Sequence, residues 1–180
     1  MRVVCISGWA QNGKDTSADI IKTILEDNGH KVLIAHYGDL VKYICKTFFD
    51  WNGEKDTYGR SLLQRIGTDV IREQNPDYWV SFVAGVLKFF DGEWDYVLIP
   101  DCRFPTEIDY LKAQGFDVIH MRVVRQNFIS PLTPEQQEHP SETALNYVAP
   151  DCWINNHGTL EDLRRVILGL IPKITRQELN

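Results

Sequence analysis

Gly8-Trp9-Ala10-Gln11-Asn12-Gly13-Lys14-Asp15-Thr16 follows the apolar run Val3-Val4-Cys5-Ile6 and opens into Thr16–Asn28, whose apolar residues fall at Ile20, Ile21, Ile24 and Leu25. Strand, glycine-bearing turn and helix, in that order, are what a phosphate-binding loop requires. Gly8 and Gly13 let backbone N–H groups turn inward, Ala10 and Asn12 between them add amides to the cradle, and the helix N-terminus contributes partial positive charge. Lys14 is placed to reach the terminal phosphates of a polyphosphate. A hydroxyl ligand for Mg²⁺ normally follows that lysine directly; here Asp15 does, and Thr16, the candidate ligand, comes one place later. By itself the stretch also reads as a glycine-rich turn with a solvated lysine. The strand before it and the helix after it favour the loop.

Outward from the loop, Gly29 is a helix stop and Lys31–His36 reads as a second strand. Gly38-Asp39 breaks that strand, with Asp39 as the expected cap of a helix over Leu40–Phe49. Leu62, Leu63, Ile66, Val70 and Ile71 predict a helix from about Arg60 to Glu73, and Asn75-Pro76 predicts the start of the next. Tyr96–Ile99 is a short, unalternating strand of the buried parallel kind. A helix from Thr106 to Ala113 and a fourth strand over Phe116–Val124 follow. Arg125–Pro140 is polar, carries three prolines, and reads as a mobile excursion. Cys152–Asn155 is a fifth strand, and Thr159 with Asp162 forms a capping box for a last helix to about Leu170. The order predicts an α/β domain over 1–180, with a five-stranded parallel sheet flanked by helices.

Apolar content of 43% and charged content of 24% are those of an ordinary globular chain. A net charge of −6 argues against a nucleic-acid polymer or a membrane surface as partner, since both call for a basic face. It leaves room for a phosphorylated small substrate held by a local arginine cluster. Cys5, Cys45, Cys102 and Cys152 lie far apart, without metal-ligand spacing, and read as small hydrophobes of a reduced cytosolic chain. With the loop opening at Gly8, no signal peptide is expected, and no apolar run is long enough to span a bilayer.

Asp101 ends an apolar strand, where ligands collect in an open parallel sheet, so it and the Gly8–Thr16 loop are expected to meet. It also reads as an aspartate that begins a turn. Arg103 follows on the same rim. Lys42, Arg60, Gln64, Arg65 and Arg72 lie in the helical segment between the second and third strands. Arg65 and Arg72, two helical turns apart, are expected to share a face suited to a second phosphate. The competing reading is a solvated basic face. Arg122 and Arg125 stand at the root of the proline-bearing excursion, with His139 and Glu142 at its end. A flexible segment rooted in arginines is a device for excluding water, although a plain surface loop has the same composition. His139 is expected to position this segment, because a phosphate acceptor is already ionised and needs no base.

Gly8…Gly13-Lys14-Asp15-Thr16, Arg60-Ser61-Leu62-Leu63-Gln64-Arg65-Ile66-Gly67-Thr68-Asp69…Arg72, Trp79-Val80, Asp101-Cys102-Arg103-Phe104-Pro105…Glu107 and His139-Pro140-Ser141-Glu142 together resemble the bacteriophage deoxynucleoside monophosphate kinases, in order, from Arg2 to about Leu170. The resemblance implies a P-loop fold of the nucleoside monophosphate kinase type and transfer of the terminal phosphate of ATP, with Mg²⁺, to a (deoxy)nucleoside monophosphate. In that family an aspartate after the loop lysine is usual. By position it implies that Lys14 and the loop hold the donor phosphates, while Asp15 and Asp101 organise Mg²⁺ or the acceptor phosphate. Lys42, Arg60, Gln64, Arg65, Arg72, Arg103 and Glu107 would receive the acceptor, from a helical region over about 39–92. Arg122 and Arg125 would act from a lid over about 122–147, and Asn156 and Gly158 would border the donor adenine. The implied setting is the cytoplasm, that of the host for a phage-encoded chain; a homodimer is compatible with the sequence but not demanded by it. Other readings are a small-molecule kinase similar to dephospho-coenzyme A kinase, or a nucleotide-binding ATPase that is not a kinase. A guanine-reading Asn-Lys-x-Asp loop is absent.

Overall fold

The computed structural model describes residues 1–126 and 128–176. In chain order its elements begin with β1 (Arg2–Ser7), α1 (Lys14–Asp27), β2 (Val32–Ile34), α2 (Gly38–Phe48) and α3 (Thr57–Gln64). A π-helical turn over Arg65–Val70 leads into α4 (Ile71–Gln74), followed by α5 (Tyr78–Phe89), β3 (Tyr96–Ile99), α6 (Pro105–Ala113) and β4 (Asp117–Val124). The short helices α7 (Pro134–Glu138) and α8 (Pro140–Thr143), β5 (Cys152–Asn155) and α9 (Leu160–Thr175) complete it.

The five strands form one sheet in the order β2-β3-β1-β4-β5, and every neighbouring pair runs parallel. Val3, Val4, Cys5 and Ile6 of β1 have no exposed surface, because both faces of a central parallel strand are covered. Alternate side chains go to opposite layers. Val3 and Cys5 join Val41, Ile66, Trp79, Leu87 and Leu111 from the helices on one face, while Val4 and Ile6 join Ile21, Leu25, Leu163 and Ile167 of α1 and α9 on the other. The edge strand β5 alternates instead, with Cys152 and Ile154 buried and Trp153 exposed. Strand order reverses at β1: β3 and β2 lie to one side, β4 and β5 to the other. The crevice beyond the carboxyl end of β1 is the switch point at which such sheets bind ligands.

Several expected details differ. Asp39 does not cap α2; that helix begins at Gly38, and its first amides are met by a carboxylate from elsewhere in the fold, described below. The helix expected over Arg60–Glu73 begins at Thr57, capped by Asp56, and is interrupted by the π turn. Within that turn the Gly67 carbonyl accepts from the Trp79 indole N–H at 2.8 Å, a side-chain partner in the space opened by the wider coil. The Asn75-Pro76 start is displaced to Asp77, whose amide bonds the Asn75 side chain. The expected strand over Lys31–His36 is only Val32–Ile34. Thr159 caps α9 with Asp162, as its spacing predicts, and that helix runs on past Leu170 to Thr175 through Pro172.

Among the described residues of the Arg125–Pro140 excursion, Arg125, Gln126 and Ile129 are exposed, but the part around α7 is docked. Gln136 is buried, and its side-chain amide donates to the Thr57 carbonyl at 3.2 Å and to Ser61 Oγ at 3.1 Å. Among the described residues no helix is long and apolar enough to cross a membrane.

Candidate active site

The loop between β1 and α1 is shaped by two glycines with positive φ, Gly8 at 143° and Gly13 at 97°. A Cβ on Gly8 would lie 2.5 Å from the Val123 carbonyl oxygen of β4, and one on Gly13 would lie 2.5 Å from Asn156 Nδ2. Gly8 therefore excludes a side chain twice over, by conformation and by backbone in its way, while Gly13 excludes one chiefly by its conformation, since the Asn156 side chain could shift. The Asn156 amide in turn donates to the Asn12 carbonyl at 2.9 Å and ties the loop to the segment after β5. Lys14 arches over the loop, donating to the carbonyls of Gly8 at 2.8 Å and Trp9 at 2.9 Å. Burial, and next the Arg103 guanidinium, bring its ammonium down to about 8; Glu142, Asp15 and Asp101 pull the other way.

Asp101 and the loop both line one cleft of about 560 Å³, as expected. Its carboxylate accepts from the amides of Tyr37 at 3.0 Å and Gly38 at 2.7 Å, so it is this aspartate, far away in sequence, that serves the start of α2. Asp15 faces His36 Nε2 at 3.3 Å. That contact chiefly holds the Asp15 carboxyl below its usual value and raises the His36 imidazole above its own.

Ala10, Lys14 and Asp15 line the cleft together with Lys42, Arg60, Gln64, Arg72, Asp101, Arg103 and Glu107. Lys42 is paired with Asp39 at 2.7 Å. Arg72 and Glu107 are joined to one another, both buried, with the guanidinium 3.9 Å from the centre of the Phe104 ring. The other Glu107 oxygen accepts from the amides of Arg103 at 2.7 Å and Phe104 at 3.1 Å. Burial pushes the Glu107 carboxyl up against the opposing pull of Arg72.

Other expected residues lie outside the cleft lining. Gly8, Asn12 and Gly13 form the body of the loop behind it, and Asn156 braces that body. Thr16 is exposed on α1, and Gly158 is exposed with Asp162 against it. Arg65 does not share the face of Arg72: it is exposed while Arg72 is buried, because the intervening π turn inserts a residue and breaks the 3.6 period. Arg122 is buried and gives its guanidinium to the Leu145 carbonyl and, at 2.6 Å, to Asn146 Oδ1. Arg125 is exposed, 5.0 Å from the centre of the Phe128 ring.

The model of the family described as deoxynucleotide monophosphate kinase matches residues 40–167. The chain belongs to that family. Among curated members, the deoxynucleotide monophosphate kinase of Enterobacteria phage T4 is 33% identical over 106 residues, 58% of this chain and 41% of the phage protein. That of Escherichia phage RB69 is 33% identical over 115 residues, 62% of this chain and 44% of the relative. The matched stretch thus spans less than half the length of either. Among solved structures, a sugar kinase from Janibacter sp. HTCC2649 superposes with a TM-score of 0.57 at 15% identity, over 95% of this chain and 94% of that one. Shikimate kinase from Aquifex aeolicus gives 0.54 at 14%, over 99% and 100%. These place the family member on the P-loop kinase fold.

The family match begins at Leu40, after the Gly8–Thr16 loop, so the loop stands on its own geometry. Sequence reasoning gave no role to Glu142 and named no partner for His139, which it expected to position the segment. Glu142 of α8 reaches the Gly8–Thr16 loop, with its Oε2 accepting from the Ala10 amide at 3.0 Å and its Oε1 from Arg103. His139 bridges Ser141 Oγ at 2.9 Å and Asp69 at 3.0 Å, fastening α8 to the π turn. Both belong to the His-Pro-Ser-Glu run that the resemblance singles out; the run marked the place but not the partners.

Proposed function

We propose that this chain transfers the terminal phosphate of ATP to a deoxynucleoside monophosphate, giving ADP and the corresponding diphosphate. The observation that carries the reading is the meeting of the loop lysine, Lys14, with Lys42, Arg60 and Arg103 around one cleft. Two anionic partners brought into line need cationic groups on both sides, and the chemistry itself asks for positioning and charge neutralisation rather than a base.

In this reading the loop amides and Lys14 hold the donor phosphates, with Asn156 and Gly158 beside the adenine. Arg60, Arg103 and Lys42 take the acceptor phosphate, and Gln64 is available to its base. Arg72 and Glu107 form the buried floor; the Arg72 Nε–H has no hydrogen-bond partner among the described residues, leaving a donor for an acceptor oxygen. The segment beyond β4, to about residue 147, acts as the lid, with Arg122 of β4 holding its far end through Leu145 and Asn146 and His139 fastening it. Asp15 and Asp101 would hold Mg²⁺ through carboxylate oxygens on the cleft, each with lone pairs beyond those engaged by His36 and by the Tyr37 and Gly38 amides, since this ion is commonly held by one or two carboxylates with substrate phosphates. When bound it neutralises phosphate charge. Thr16, exposed on α1, has the weaker claim to it. The deoxynucleotide preference is supported by the family match.

The test is ADP release from ATP and Mg²⁺ against a panel of deoxy- and ribonucleoside monophosphates. Stimulation by one or more deoxynucleotides is expected. Stimulation by dephospho-coenzyme A alone would replace the acceptor assignment.

A further inference from the structure

We propose that Glu142 is a displaceable internal anion of the phosphate loop, which donor phosphate evicts and which thereby couples the donor half of the cleft to the acceptor half through Arg103. The proposal rests on reading Gly8–Thr16 as a phosphate loop.

Glu142 lies on α8, beyond the proline-bearing excursion, yet its carboxylate reaches across to the loop. One oxygen accepts from the Ala10 amide at 3.0 Å and the other is paired with Arg103. The side chain is only 6% exposed, and its negative charge favours the protonated form of Lys14. An inward loop amide, a guanidinium and a neighbouring ammonium are the partners a phosphate oxygen would take. Glu142 takes them first.

A carboxylate and a phosphate cannot share one amide, because like charges in contact repel strongly where water is largely excluded. Donor phosphate at Ala10 must therefore move Glu142 away. Arg103 Nη1 contacts two groups of α8, the Glu142 carboxylate and the Ser141 carbonyl at 2.9 Å. Once Glu142 leaves, Arg103 loses its paired carboxylate, and its guanidinium is freed for the acceptor or for the group in transfer. The segment following Glu142 loses an anchor at the same moment. Binding in one half thus changes both the charge and the lid of the other, and the coupling is reciprocal.

The experiment uses inorganic tripolyphosphate, which occupies a phosphate loop without filling the acceptor half, and reads amide hydrogen exchange in the intact chain. Slower exchange is expected over residues 8–16, together with faster exchange over residues 141–146. Glu142→Gln, close in shape but without charge, is expected to bind tripolyphosphate about tenfold more tightly and to lose the acceleration at 141–146. A structural prop would behave oppositely, since its loss would loosen the loop and weaken binding. Protection of 8–16 with unchanged or slower exchange at 141–146 overturns the proposal, as does equal or weaker binding by Glu142→Gln. Absence of protection at 8–16 in both proteins overturns the phosphate-loop reading, and this proposal with it. The exchange measurement on the unaltered chain decides the matter even if the variant folds poorly.

Discussion

Arg72 and Glu107, 35 residues apart, form a buried ion pair beneath the cleft, with the guanidinium stacked on Phe104 and donating to the Pro76 carbonyl at 2.8 Å. Removing one partner of such a pair leaves an uncompensated buried charge, which typically costs about 3–5 kcal/mol. Arg72→Ala is therefore expected to lower stability by that amount in urea unfolding, before any question of acceptor affinity. Arg72→Met combined with Glu107→Gln should recover most of the loss. A stable Arg72→Ala protein with only acceptor binding impaired would show that Arg72 works as a ligand contact rather than as floor.

Lys14 carries a pH signature. Its ammonium titrates at about 8 in the folded chain against 10.5 ordinarily, so between those values the unfolded chain holds more protons than the folded one. Stability contributed at this site is accordingly lowest below pH 8 and rises as pH climbs towards 10.5. Lys14→Met should raise stability near pH 7 by on the order of 1–2 kcal/mol, trimmed because the side chain is only partly shielded, and flatten that rise. Donor affinity should move the other way, falling above pH 8 as the charge is lost. Isothermal titration with an ATP analogue across pH 7–10 checks both the direction and its loss in the variant.

Gly8→Ala places a Cβ 2.5 Å from the Val123 carbonyl oxygen at a backbone angle that L side chains rarely adopt. Strain of about 1–3 kcal/mol is expected, spread over the loop and the end of β4. Donor affinity should fall by more than tenfold, because a loop shifted by even part of an ångström misaims its amides. An alanine variant with native donor affinity would mean that the loop does not cradle phosphate.

The Trp79 indole is the side-chain partner of the Gly67 carbonyl inside the π turn. Trp79→Phe keeps the ring but removes the N–H, and should cost about 1–3 kcal/mol. Faster exchange over residues 65–72, with the sheet unaffected, would locate the loss in the turn that lines the cleft.

Local chemistry was legible in the sequence and long-range pairing was not. The loop, its flanking strand and helix, and the Thr159–Asp162 cap rest on neighbours within a few residues, and each formed where its spacing placed it. The five parallel strands followed from short apolar runs separated by helical segments. Arg65 misled because periodicity assumes an unbroken α-helix, and the π turn rotates everything beyond it. Asp39 misled because a nearby aspartate resembles a cap, whereas the helix starts at Gly38 and Asp101 reaches the amides of Tyr37 and Gly38 from 64 and 63 residues away. The tie of Arg122 to Leu145 and Asn146, and the hold of Glu142 on Ala10, likewise depend on how the excursion folds back, which no local pattern encodes.

The most direct measurement follows the label from ATP carrying a radioactive terminal phosphate, with Mg²⁺ and a deoxynucleoside monophosphate. The account predicts that label appears in the deoxynucleoside diphosphate in step with ADP, and that Lys14→Met abolishes it without unfolding the chain. Label released only as inorganic phosphate, at a rate indifferent to the acceptor, would contradict it and make the chain a nucleotide hydrolase.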